Sequence, residues 1–133
     1  MPLQRVDDAL SEGDDALTGC VIGRFYHVYN RLRFGFAESV YSGAMFVELT
    51  RAGLDVIREA PLEIVYDGAV VGQFRVDLLV NDRLILELKS APRLTEADES
   101  QLVNYLRIAN LPFGLLLHFG PRPLVRRVLR PRG

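Results

Sequence analysis

Residues 75–89 read Arg75-Val76-Asp77-Leu78-Leu79-Val80-Asn81-Asp82-Arg83-Leu84-Ile85-Leu86-Glu87-Leu88-Lys89. Two apolar runs, Val70 to Val80 and Leu84 to Lys89, flank a polar turn, and together they predict an antiparallel hairpin. Alternate residues of a strand share a face, so Glu87 and Lys89 project to one side and Leu86 and Leu88 to the other. Whether Asp77 joins them depends on the loop. A two-residue Asn81-Asp82 turn pairs Val80 with Arg83 and places Asp77 opposite Leu86. A three-residue Asn81-Asp82-Arg83 loop pairs Val80 with Leu84 and sets Asp77 opposite Glu87. A slip of one residue moves every side chain to the other face, so a joint site requires the odd-length loop or a bulge.

In that register two carboxylates meet with an ammonium beside them. Adjacent buried carboxylates are costly unless they share a proton or a cation. Oxygen ligands suit Mg²⁺ or Mn²⁺, and such an ion can acidify water and neutralise charge on a phosphate. Lys89 could position that water or stabilise developing charge. The plainer reading is a surface Glu–Lys pair beside a strand-end aspartate. Composition bears on the choice: of 16 basic residues, Lys89 is the sole lysine. Lysine is a compact charge whose pKa can be tuned, unlike arginine, so the singleton favours chemistry.

Working outward, Leu17, Val21, Phe25, Val28 and Leu32 recur at helical spacing and predict a first helix over 17–31. A second runs from about Ala37 to Ala52 with Val40, Tyr41, Ala44, Val47 and Leu49 on its apolar face and Gly53 as its cap. Residues 54–59 predict a short edge strand and Leu62 to Tyr66 another, with Asp67-Gly68 as a hairpin turn. Thr95 caps a helix to about Ala109, with Asp98 completing an imperfect capping box. The apolar run Phe113 to Phe119 reads as a buried central strand. Leu124 to Leu129 fits a short strand or a helical turn. The expected architecture is α/β, a mixed central sheet flanked by helices in the order ααβββαβ, with residues 1–15 as a loose leader and 16–130 as a single domain.

The chain has 133 residues, 49% hydrophobic and 25% charged, with a net charge of −1. That fits one ordinary folded domain and excludes a uniformly basic coat for nucleic acid. Charge is nevertheless polarised. Asp7, Asp8, Glu12, Asp14 and Asp15 crowd one end, and Arg122, Arg126, Arg127, Arg130 and Arg132 the other. The basic end could meet phosphates, although a solvated or self-pairing surface is the commoner outcome. Cys20 stands alone, which excludes an internal disulfide and a cysteine-cluster metal site. No apolar run approaches the roughly 20 residues of a membrane span, and the acidic N-terminus is unlike a secretory signal, so a cytoplasmic location and no membrane contact are expected. His27 and His118 are isolated and read as structural; Phe34 and Phe36 read as anchors from loop to core.

Taken together, Arg75 to Val80 and Leu86 to Lys89 resemble the core of the PD-(D/E)XK nuclease superfamily. Gly35-Phe36-Ala37-Glu38-Ser39-Val40-Tyr41 resembles the signature of the GxxExxY family within it. The likeness spans about Leu17 to Val128 and implies a restriction-endonuclease-like fold. It implies Asp77 and Glu87 as metal-binding carboxylates, the Leu88 carbonyl as a further ligand, Lys89 as the catalytic lysine, and Glu38 as a helix-borne glutamate completing the site. Gln101 and Tyr105 resemble the QxxxY element of RecB-like nucleases and would orient the site or touch phosphate; their spacing puts both on one helix face. The implied activity is phosphodiester hydrolysis with Mg²⁺ or Mn²⁺, on DNA in preference to RNA. A homodimer or a protein partner would supply substrate reading that so short a chain has little room for. The alternative is a non-catalytic nucleic-acid-binding or assembly module on the same fold. Two departures stand out: Arg33-Phe34-Gly35 replaces the usual Gly-Pro-Gly, and Tyr29, with His27 nearby, occupies the place of the first-helix histidine.

Overall fold

The computed structural model describes residues 12–132. Eight elements follow in order: α1 (Glu12–Leu32), α2 (Glu38–Arg51), β1 (Val56–Tyr66), β2 (Ala69–Val80), β3 (Leu84–Lys89), α3 (Glu96–Ala109), β4 (Phe113–Phe119) and β5 (Pro123–Leu129). The last segment is a strand, so the order is ααβββαββ. The two short strands expected on either side of Ala60 are one continuous β1. Helix α1 begins at Glu12, so residues 12–15 of the expected leader are helical; residues 1–11 lie outside the described residues. Asp14 is buried and receives two 2.8 Å hydrogen bonds from Arg83, which fastens the start of α1 to the β2–β3 turn.

The five strands form one sheet in sequential order. Only β3 and β4 run parallel, and α3 makes the crossover between them, as parallel neighbours require. The sheet separates two cores. Under α1 and α2 lie Leu78, Val80, Leu84, Leu86, Leu88, Leu115, Leu117 and Phe119. Under α3 lie Ala60, Val76, Ile85 and Leu116, met by Leu102 and Leu106 of the helix. β4 is buried along its whole length because it has a strand on each edge and helices on both faces.

On α2 the buried residues are Tyr41, Met45 and Leu49, while Val40 and Val47 are 41% and 44% exposed. The expected apolar face is therefore corrected by about a quarter-turn, towards the i, i+4, i+8 row that meets α1. Phe34 and Phe36 are also largely exposed, so they are not core anchors. Tyr41 does the anchoring: its hydroxyl donates to the Arg33 carbonyl and accepts from the Phe36 N–H at 3.2 Å. Its ring stacks on Phe119 at 4.1 Å.

One break in the sheet positions the site. Strict alternation would put Val76, Leu78 and Val80 on one face, yet Val76 joins the core under α3 and the other two the core under α1 and α2. β1 changes face at the same level, with Val56 in the first core and Ala60 and Leu62 in the second. Between them Glu59 has φ 51°, a left-handed conformation that few residues other than glycine adopt. The pairing Arg58↔Leu78 resumes as Ala60↔Val76, skipping Glu59 and Asp77. Asp77 thus sits at the crease where the sheet turns over.

Candidate active site

The turn after β2 decides the register. Arg83 N–H donates to the Val80 carbonyl at 3.0 Å, and Val80 pairs with Leu84. Arg83 is the extra residue, and the ladder continues through Leu79↔Ile85 to Leu78↔Leu86. The next pair would be Asp77 and Glu87, and there the backbone ladder stops. Side chains replace it: Glu87 Oε2 accepts from the Asp77 N–H at 2.8 Å, and Asp77 Oδ2 accepts from the Leu88 N–H at 2.8 Å. Two carboxylates are thereby locked across the gap where β2 and β3 part. Each spends one oxygen on a backbone N–H. The other, Asp77 Oδ1 or Glu87 Oε1, takes no hydrogen bond from the described residues.

Both acids are held above their ordinary range. Glu87 is 4% exposed, and burial, followed by the charge of Asp77, pushes its carboxyl up to about 8. Asp77 is also raised, chiefly by burial and then by Glu38, against the lowering effect of the Leu88 N–H and Lys89. Two desolvated carboxylates at this separation resist ionising together, and a cation between them would remove the conflict.

Glu38, in the first turn of α2, accepts from the Ser90 N–H at 3.3 Å, and its charge acts on both acids. The Ser90 hydroxyl donates to the Phe36 carbonyl at 2.5 Å, so Ser90 ties the end of β3 to the loop that launches Glu38. Lys89 shares its face with Glu87, as alternation predicts, and its Nζ lies 3.7 Å from Asp98 Oδ1. Asp98 belongs to a complete capping box: Thr95 N–H donates to its Oδ2 at 2.9 Å, and its own N–H donates to Thr95 Oγ1 at 3.2 Å. Tyr105 is buried, and its hydroxyl is raised by burial and then by the charges of Glu87 and Asp77. Gln101, one turn earlier, lines a groove together with Tyr105 and Phe74. The Leu88 side chain is buried in the core under α1 and α2, so only its backbone can serve the site.

Asp77, Glu87, Glu38, Lys89 and Tyr105 are therefore gathered at one end of the sheet, and Gln101 stands at the rim. Sequence reasoning missed Ser90 and Asp98 as members of this group. Ser90 adjoins the Glu-Leu-Lys run, which was the available signal; Asp98 had been assigned to the cap alone. The histidines stay outside: His118 Nε2 sits 2.6 Å from the Ala91 carbonyl, and His27 is near Glu48 on the far surface.

The donor set fits a divalent cation in an open site. Among the described residues no three His, Cys, Asp or Glu side chains are grouped to enclose an ion. Mg²⁺ commonly takes only one or two carboxylates and completes its shell with water and substrate oxygens. Asp77 and Glu87 with their free oxygens meet that requirement.

No helix among the described residues is long and apolar enough to cross a membrane. No curated protein matches the chain. Among solved structures, the crystal structure of SSO0001 is similar with a TM-score of 0.54 at 19% identity, over 72% of this chain and 52% of that one. At that identity the likeness concerns the fold, and this chain spans about half the length of that protein. The family model of the PD-(D/E)XK nuclease superfamily matches residues 15–128. That match runs from the helix fastened by Asp14 to the last strand, with the crossed Asp77–Glu87 pair inside it, and the chain belongs to the PD-(D/E)XK nuclease superfamily.

Proposed function

We propose that this chain is a divalent-metal-dependent nuclease that hydrolyses phosphodiester bonds, with DNA favoured over RNA. The observation that carries the reading is the crossed pair at the crease. Asp77, half-buried, and Glu87, buried, are fixed by each other's strand and left with one oxygen each for a cation. The family's activity and the lone lysine beside the pair support it. Asp77 and Glu87 would hold Mg²⁺ or Mn²⁺. In a strand the N–H and C=O of one residue face the same neighbour, so the Leu88 carbonyl, whose N–H meets Asp77, would be a third donor. Glu38 would complete the shell directly or through water. When bound, the ion supplies charge neutralisation and a more acidic water.

The remaining work falls to the chain. Lys89 orients the attacking water and offsets charge building on the phosphate, with Asp98 holding its ammonium in place. Tyr105 and Gln101 steady the carboxylates and the substrate. Tyr41 and Ser90 keep the Glu38 loop against the end of β3, which gives the Gly35-to-Tyr41 motif a physical reason and supports placing the chain in the GxxExxY family. A cytoplasmic location fits the single free cysteine.

The test is cleavage of single-stranded DNA, duplex DNA and RNA with Mg²⁺, Mn²⁺ or EDTA. Wild type should cleave at least one substrate only with metal, and Lys89→Ala should lose 100-fold or more, in line with removal of one transition-state donor. Equal rates for the two proteins would remove Lys89 from the chemistry. A second reading, a non-catalytic binding module, is favoured by the contact of Lys89 with Asp98 instead of the carboxylates. Under it Glu87→Ala would bind nucleic acid as well as wild type or better, and no substrate would be cut.

A further inference from the structure

The β1–β2 hairpin extends past the crease and leans over α3, enclosing a groove of about 960 Å³. One wall carries Ile64 and Phe74; the other carries Gln101, Asn104, Tyr105 and Ile108. On α3 the groove residues recur every three to four positions, and the acids Glu96, Asp98 and Glu99 all fall off that row. Phe74 is 40% exposed, and its ring lies 5.9 Å from that of Tyr105, whose hydroxyl feels Asp77 and Glu87. The end at Ala97 lies beside the candidate active site, since the adjacent Asp98 is 3.7 Å from Lys89 Nζ. At the far end Arg107 lines both this groove and a second hollow of about 490 Å³. Arg130 and Arg132 line the second hollow with it, and among the described residues no carboxylate does. Arg130 spends one N–H on Asn110 Oδ1 at 2.6 Å, which fixes its position. Glu63, at the rim, accepts from Gln73 at 3.5 Å.

We infer that this groove is a track for single-stranded nucleic acid, with bases stacked on Phe74 and the backbone held at its far end by Arg107, Arg130 and Arg132. An apolar, aromatic wall facing a row of amides suits unstacked bases, whose faces a duplex keeps inside. A duplex would present phosphates to the floor, where only Arg107 could meet them. Charge complementarity sets the polarity of the track: a phosphate at the carboxylate end needs a cation, and phosphates at the other end meet guanidiniums directly. From Ala97 to Arg107 the helix rises about 15 Å. At a stacked spacing of about 3.4 Å per nucleotide, a strand of about five nucleotides is needed to reach from the site to the arginines. The inference rests on the nuclease reading only in taking nucleic acid as the ligand.

The experiment is fluorescence anisotropy of labelled dT3, dT8, rU8 and an eight-base-pair blunt duplex with the intact protein in EDTA, where cleavage is silent. Wild type should bind dT8 at least 10-fold more tightly than the duplex. Phe74→Leu, which keeps apolar bulk and loses the ring face, should weaken dT8 by about 5- to 150-fold, the range expected for one stacked base. Arg130→Ala/Arg132→Ala, at one half-buried and one exposed position, should weaken dT8, leave dT3 unchanged, and lower the salt slope for dT8 by about 1.4. Equal binding of rU8 and dT8 would show that the track reads base and phosphate; a preference for one would assign the sugar as well. Duplex binding as tight as dT8, no effect of Phe74→Leu, or an arginine effect that does not depend on length would overturn the track. Metal-dependent cleavage with any of these results would leave the nuclease reading standing. Tight dT8 binding without cleavage would remove that reading alone.

Discussion

The protonation of Glu87 should be visible as stability. Its carboxyl is raised from 4.5 to about 8 by burial and then by Asp77. Without metal, the folded chain keeps a proton that the unfolded chain has already released. Stability is therefore full below pH 4.5 and declines as pH rises through 8. At 1.36 kcal/mol per pH unit, the whole decline is about 5 kcal/mol, a large part of the 5–15 kcal/mol typical of domains. Glu87→Gln keeps the shape and the acceptor for the Asp77 N–H but cannot ionise. In EDTA, urea unfolding of the two proteins should agree within about 1 kcal/mol at pH 5. At pH 9 the variant should be the more stable by about 4–5 kcal/mol. Adding Mn²⁺ at pH 9 should restore wild type and not the variant, since a ligand of the native state stabilises by mass action. A gap that is the same at pH 5 and pH 9 would refute the argument that the buried carboxyl resists ionisation.

Three further outcomes are expected. Asp77→Ala should abolish metal-dependent cleavage in a gel assay, and circular dichroism should show a folded domain. Tyr41→Phe removes the hydroxyl shared by Arg33 and Phe36; it should cost about 1–2 kcal/mol in urea unfolding and lower the cleavage rate by releasing the Glu38 loop. A Cβ at Gly120 would lie 2.5 Å from the His118 ring, so Gly120→Ala should lower stability by about 1–3 kcal/mol, read as a drop in Tm, as the Ala91 segment after β3 shifts.

The hairpin at 75–89 was legible from its two apolar runs and the polar turn between them, but its register was left open between a two-residue and a three-residue loop, and the structure has the three-residue one. Its uncertainty lay in one residue, Arg83, whose place as the extra turn residue could not be read from residue type. The crease was invisible for a related reason. Alternation assumes a strand that keeps its faces, whereas β1 and β2 exchange faces at Glu59 and Asp77. The apolar row of α2 was misjudged at Val40 and Val47, since helix position relative to a neighbour is set by packing and not by hydrophobicity alone. Ser90, and the contact of the capping residue Asp98 with Lys89, escaped notice because the partners are 52 and 9 residues apart in sequence. Glu38, Asp77, Glu87 and Lys89 were found from motif spacing, and their convergence depends on the sheet order that brings α2 and β3 together.

The central claim is that Asp77 and Glu87 are paired to hold a cation, and calorimetric titration with Mn²⁺ tests it most directly. Wild type at pH 7 should bind Mn²⁺ and release protons, because Glu87 must give up its own to become a ligand. The Asp77→Ala/Glu87→Ala protein should give neither heat nor proton release. Binding that persists in the double variant, or no binding by wild type with or without a short oligonucleotide, would contradict the account.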